Sequence, residues 1–248
     1  MISRTSLLLI VSFAFMPRMV LADPKGEEVM KKLDAAQVRA EDQIILFEMV
    51  VNDPSGKSRR VTMKVHNKGE RRLVEFLAPG DVKGMKVLTL FRENMYVYLP
   101  AYRKIRRIAN HARDQTIIGS DYTYDDMATA TYGGLYTTKF LSEDKDHWKI
   151  LATLKPGKTA PYEKIQFTIN KGKKYPTELL FYNKKGAHVK TETRVNYDCK
   201  GEVCVAKIMK MVDHTRNNHW TTIELQNWEV NTGYSENVFS LRNLARGR

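Results

Sequence analysis

Hydrophobic and polar positions alternate along most of this chain. The clearest run sets Ile165, Phe167 and Ile169 against Glu163, Lys164, Gln166, Thr168 and Asn170. A period of two marks a strand with one dry face and one wet face. The same alternation predicts strands at residues 43–51, 59–66, 72–77, 86–91 and 95–99, then a basic strand or turn at 104–108. After a break it resumes at residues 147–154, 163–170, 176–182, 189–197, 203–212 and 220–230. Turn chemistry punctuates the runs, as in Asn52-Asp53-Pro54-Ser55-Gly56, Asn67-Lys68-Gly69, Ala78-Pro79-Gly80-Asp81 and Asn183-Lys184-Lys185-Gly186. Short loops between successive strands imply an antiparallel meander of about 10–12 strands.

Long helical periodicity occurs at the start of this pattern. Val29, Met30, Leu33, Ala36 and Ala40 share one helical face, in a helix opened by Asp23 as N-cap and Pro24 and running to about residue 39. One helix covers little of so wide a half-dry sheet, so the sheet must curl on itself. A curled array of that width encloses a cavity rather than only side chains. The expected fold is therefore mainly β: an unclosed antiparallel β-barrel, or half-barrel, with an N-terminal helix. Residues 110–136 form the longest stretch without alternation, and Ser120 or Asp121 is placed to cap a short helix there that ends before Gly133-Gly134. This segment reads as a helical lid over the mouth, with an ordinary surface Ω-loop as the alternative.

Composition refines the picture. Residues 1–22 combine Arg4, an apolar run at 6–16 and Val20-Leu21-Ala22, the pattern of a secretory signal peptide, leaving residues 23–248 as a single exported domain. The 248-residue chain has a formal net charge of +13. For a soluble periplasmic protein that charge points to anionic membrane surfaces or acidic protein faces, not nucleic acid. Its densest patch is Arg103, Lys104, Arg106 and Arg107, read as headgroup- or partner-contacting, or else as a solvated strand edge guarded by charge. The two cysteines, Cys199 and Cys204, flank Lys200-Gly201, which suits a disulfide across a hairpin in an oxidising compartment.

Catalytic chemistry is not indicated. The histidines His66, His111, His147, His188, His214 and His219 are scattered without a metal-binding spacing and read as lone exposed side chains. The segment Ile118-Gly119-Ser120-Asp121 lacks the second glycine of a nucleophile elbow. Asp121, Asp125 and Asp126 do not match a calcium loop and read as capping and solvated groups. The expectation is a binding protein with no metal and no cofactor, not an enzyme.

Three ordered motifs carry a resemblance. They are Phe76-Leu77-Ala78-Pro79-Gly80-Asp81-Val82-Lys83-Gly84, then residues 95–108 (MYVYLPAYRKIRRI), then Gly119-Ser120-Asp121-Tyr122-Thr123-Tyr124-Asp125-Asp126. Together they make the chain similar to the LolA-like outer membrane lipoprotein-sorting family. The resemblance implies an unclosed β-barrel whose concave apolar side is covered by helices. It also implies binding of lipid or lipoprotein acyl chains, periplasmic carriage, and association with an inner-membrane exporter of the RND/MMPL type. Lipoprotein carriers of that family have an Arg-Pro pair whose arginine ties the lid shut; this chain has none, and Arg71 and Arg72 lie in that region in another context.

An acyl chain of about 16 carbons exposed to water costs roughly 12 kcal/mol, at ~0.8 kcal/mol per methylene. A carrier must offset most of that with an apolar cavity. Strand phase assigns Phe47, Met49, Phe76, Leu88, Leu90, Met95, Val97, Leu99, Phe167 and Leu180 to the cavity wall. Met49, Met63, Met85, Met95, Met209 and Met211 lie in or beside strands, where flexible thioethers adapt to guests of varied shape. A lipid-sensing adaptor that regulates a membrane partner would use the same fold.

Overall fold

The structure, a computed structural model, describes residues 23–246. The signal-peptide reading of residues 1–22 lies outside them. Helix α1 (Pro24–Gln37) is capped by Asp23, whose carboxylate accepts from the Lys25 and Gly26 amides. The first half of the sheet follows: β1 (Gln43–Asn52), β2 (Ser58–Lys68), β3 (Arg71–Ala78), β4 (Lys86–Phe91), β5 (Asn94–Leu99) and β6 (Lys104–Arg107). A crossing segment containing α2 (Tyr124–Ala128) leads to the second half. This comprises β7 (Tyr136–Glu143), β8 (His147–Leu154), β9 (Lys164–Asn170), β10 (Pro176–Tyr182), β11 (His188–Lys200), β12 (Val203–Asp213) and β13 (His219–Val230). A 3₁₀ turn (Glu236–Phe239) and α3 (Leu241–Ala245) end the described chain.

All thirteen strands form one sheet in the order β6-β5-β4-β3-β2-β1-β13-β12-β11-β10-β9-β8-β7. Every neighbouring pair is antiparallel: consecutive strands are joined by hairpin loops, and the first strand, β1, also pairs with the last, β13. The half-barrel is as expected, with one strand more than the alternation predicts: β7 went unread because Thr137, Thr138 and Ser142 blur its pattern. The sheet does not close, so β6 and β7 are its free edges. They are also consecutive in the chain. Residues 108–135, which join them, must therefore cross the open side.

That crossing is anchored by apolar side chains: Ile108, Ile117, Tyr122, Met127, Tyr132 and Leu135 are all buried in the main core. Its short helix is capped by Thr123, not by Ser120 or Asp121. Thr123 Oγ1 accepts from the Asp126 amide at 3.0 Å while Asp126 accepts from the Thr123 amide at 2.8 Å, a reciprocal capping box. Helix α1 covers the other edge. Gly26 lets it approach β7 so closely that a Cβ would lie 2.9 Å from the Phe140 nitrogen. Glu27 and Asp23 then accept from the edge-strand amides of Thr138 and Phe140, each at 2.8 Å, so the free edge cannot template further pairing there.

The sheet has two dry regions. Val74, Val87, Met95 and Val97 lie in the main core on the concave face. Their neighbours Leu73, Leu88 and Tyr98 pack on the convex face beneath Phe239 and Leu244. Cys199 and Cys204 are opposite one another on β11 and β12 and joined by a disulfide.

Candidate ligand cavity

A hollow of about 170 Å³ lies between the concave wall and the crossing segment. Its apolar wall is built by side chains of paired strands. Ile45 and Phe47 of β1 stand opposite Val65 and Met63 of β2, joined by Val74 of β3, Val205, Ala206 and Met209 of β12 and Ile223 of β13. Tyr122 and Met127 form its roof and Gln37 of α1 one side. An apolar void of ~150 Å³ admits a benzene-sized guest. The hollow has about that volume.

The wall is not wholly apolar, contrary to expectation. Arg72, Asp126, Glu192 and Arg194 also line it. Arg194 grips Glu192 with both fork nitrogens, Nε to Oε1 at 3.0 Å and Nη2 to Oε2 at 3.1 Å. Burial is the largest influence on Arg194 and opposes its charge, but Glu192, Tyr132 and Tyr197 together outweigh it and hold the guanidinium well above its ordinary range. Tyr122 donates to the same carboxylate at 3.4 Å, and burial pushes its phenol well up. Arg72 has no such carboxylate in contact, and burial brings it down to about 10. Its Nε donates to Asn67 Oδ1 at 2.8 Å and its Nη1 to the Met127 carbonyl at 2.6 Å. This second bond ties the wall to α2, so an arginine does join wall and crossing segment without an Arg-Pro pair.

Three aspartates fix the crossing segment at other points. Asp121, fully buried, accepts from Thr221 Oγ1 at 2.6 Å and Arg216 Nη1 at 3.0 Å and shares a 2.8 Å hydrogen bond with His219 Nδ1. Lys190 donates to its carbonyl at 2.6 Å. Asp125 is buried between Arg92, at 2.7 Å, and Arg113. Asp34 of α1 accepts from the Tyr132 and Gly133 amides, both at 2.8 Å. Of the three aspartates expected to cap or be solvated, Asp126 caps, whereas Asp121 and Asp125 are buried ion-pair partners. His219 is likewise buried and paired, not exposed, because the turn after β12 folds over the crossing segment.

The residues assigned to the cavity from strand phase separate into three groups. Phe47 lines the hollow. Met49, Phe76, Met95, Val97 and Phe167 are buried in the main core behind it, with Leu99 half-buried against them. Leu88 and Leu90 belong instead to the convex cluster, and half-buried Leu180 faces outward while Leu179 is fully buried in the core. In β4 and β10 both faces carry apolar residues, so alternation gives no unique phase. Met63, Val65 and Met209 were reachable by register: once β1 points Ile45 and Phe47 inward, the β1–β2 turn sets Val65 and Met63 opposite them. Arg103, Lys104, Arg106 and Arg107 are exposed in and beside the edge strand β6, and Arg107 donates to the Glu93 carbonyl at 3.2 Å and Asn94 Oδ1 at 3.1 Å.

Among the described residues no helix is long and apolar enough to cross a membrane. A family model described as "uncharacterized protein" matches residues 68–246. No curated protein matches the chain. Among solved structures, a domain assigned to outer membrane lipoprotein sorting from Vibrio parahaemolyticus is 25% identical, with a TM-score of 0.82 over 90% of this chain and 99% of that one. A DUF1329 family protein from Desulfovibrio piger is 22% identical, with a TM-score of 0.80 over 89% of this chain and 98% of that one. A LolA superfamily protein from Nitrosomonas europaea is 16% identical, with a TM-score of 0.73 over 88% of this chain and 98% of that one.

Proposed function

The chain belongs to the family matched over residues 68–246 and is LolA-like in fold, and on that premise we propose that it is a periplasmic carrier of acyl chains. It shelters the chains of a lipoprotein or lipid inside the half-barrel and moves them toward the outer membrane. The observation that carries this reading is the hollow itself, an interior space walled by Ile45, Phe47, Met63, Val65 and Ile223 and roofed by Tyr122 and Met127 of the crossing segment.

Magnitudes support a moving roof. Sheltering about 16 carbons must recover roughly 12 kcal/mol, and the resting hollow takes only a benzene-sized part of such a chain. The part of the crossing around Tyr122 and Met127 acts as the lid that yields as the chain enters, while Asp34, Asp121 and Asp125 hold the rest of the segment in place. The Arg72–Met127 bond is the latch of that lid. A hydrogen bond from a charged group contributes ~1.5–3 kcal/mol net, little enough for an entering chain to displace. Meanwhile Arg103, Lys104, Arg106 and Arg107 on the open edge meet an anionic membrane surface or an exporter of the RND/MMPL type during loading.

The test uses residues 23–248 incubated with vesicles containing labelled phospholipid, then separated and extracted into organic solvent for mass spectrometry. Stoichiometric lipid in the protein fraction, deliverable to acceptor vesicles, is the expected result. Protein that emerges without lipid and accelerates no transfer overturns the reading.

A further inference from the structure

A second cavity, of about 470 Å³, lies where the start of the crossing segment meets three loops. Its size falls in the ~300–1,000 Å³ range of small-molecule sites, and its chemistry is unlike that of the hollow. Arg92, Arg113, Lys184 and Lys185 line it together with His111, against the carboxylates of Asp114 and Asp125. Asp125 is already engaged by both arginines. Each arginine nonetheless keeps a buried Nε with no hydrogen-bond partner among the described residues, and Arg113 is only 5% exposed. Lys184 and Lys185 project from a tight turn in which Asn183 Oδ1 accepts from the Lys185 and Ala187 amides at 2.9 and 3.1 Å. Both Nε atoms are out of a ligand's reach, so the cleft offers a fixed positive field whose reachable cations are Lys184 and Lys185.

Its position gives it a use. Asp125 lines both this cleft and a small void of about 40 Å³, and Tyr122, Asp126, Glu192 and Arg194 line both that void and the main hollow. Cationic cleft, polar partition and the hollow, apolar on its β1–β2 side, therefore adjoin one another. That is the order a phosphate headgroup and its chain require. We propose that the cleft binds the phosphate of an anionic amphiphile whose acyl chain occupies the hollow. Lys184 and Lys185 meet the phosphate as exposed point charges, and Arg92 and Arg113, two cations sharing the single Asp125 carboxylate, add a net positive field behind them. This assignment rests on the carrier reading and narrows its cargo to phosphate-bearing lipids.

Calorimetric titration of residues 23–248 with palmitoyl lysophosphatidic acid, monopalmitoylglycerol and inorganic phosphate tests it. The phospholipid should bind roughly tenfold or more tightly than the uncharged glyceride, the gain expected from charge-assisted bonds. Lys184→Glu/Lys185→Glu, both exposed and outside the core, should abolish that preference while leaving the glyceride affinity within about twofold. Equal affinity for the two lipids, or a preference that survives the double substitution, overturns the headgroup site while the carrier reading stands. Inorganic phosphate binding as tightly as the phospholipid also overturns it, because the chain then adds nothing. No binding of either lipid defeats the carrier reading and this assignment with it.

Discussion

Arg72 of β3 donates from Nη1 to the main-chain oxygen of Met127 in α2 at 2.6 Å, bridging 55 residues of sequence. The bond connects the wall of the half-barrel to the segment that roofs it. Because Arg72 also donates to Asn67 of β2, the guanidinium is aimed from the wall side.

Replacing it should therefore loosen the roof selectively. Arg72→Met keeps length and packing but removes both donors, at a cost of about 1–3 kcal/mol. Amide hydrogen exchange in residues 122–129 should accelerate by roughly tenfold or more, while β8 and β9 stay protected. Unchanged exchange across 122–129 would show that Arg72 is no latch.

The clamp at Asp121 should be costlier to break. Its carboxylate is fully buried among Arg216, His219 and Thr221. Asp121→Ala leaves those donors facing an apolar gap, and urea denaturation should register a loss of about 3 kcal/mol or more. A loss below ~0.5 kcal/mol, ordinary for a surface substitution, would contradict this placement.

Helix α1 depends on a residue without a side chain. Any Cβ at position 26 would press on the main chain of β7 at Thr138, Lys139 and Phe140. Gly26→Ala would ordinarily favour a helix, yet here the clash should dominate and destabilise the protein by about 1–3 kcal/mol. Thermal melting decides the sign; a gain in Tm would mean that the helix stands further from the edge than described.

Asp34 gives a pH dependence. Burial raises its pKa, only partly offset by the Tyr132 and Gly133 amides. A carboxyl that holds its proton more tightly when folded penalises the native state once it ionises. Its contribution to stability is therefore most favourable below the unfolded value of about 3.9 and is lost as pH rises through the raised folded value. Relative to Asp34→Asn, the wild type should lose stability as pH rises across that window, measured by denaturation at a series of pH values. A difference independent of pH would contradict the burial described.

Much of the fold was legible because one physical pattern repeats. Alternation located twelve of the strands, with the bounds of β4, β8 and β10 coinciding with those observed. The curl followed from the lack of helices to cover a half-dry sheet. The cavity wall was less legible. Leu88 was assigned inward although the C-terminal Phe239 and Leu244 cover it from outside, and nothing in the run Lys86–Phe91 announces a second cover. Leu179-Leu180 offers two apolar phases, and register chooses the first. Asp121 and Asp125 escape the local reading for another reason, whereas Asp126 caps as expected. Asp121 finds Arg216 and His219 at sequence separations of 95 and 98, beyond any local signal, so a local reading defaults to solvent.

The account turns on whether the interior receives a hydrocarbon. Ala206, buried, lines the hollow, and Ala206→Phe would occupy much of its volume. The most direct measurement is saturable binding of a fluorescent fatty acid to residues 23–248 and to this variant, with circular dichroism to verify that both fold. Tight binding by the wild type and a loss of roughly tenfold or more in the variant, a shift of about 1.4 kcal/mol, is predicted. Absent binding by the wild type, or equal binding by a folded Ala206→Phe, would contradict it.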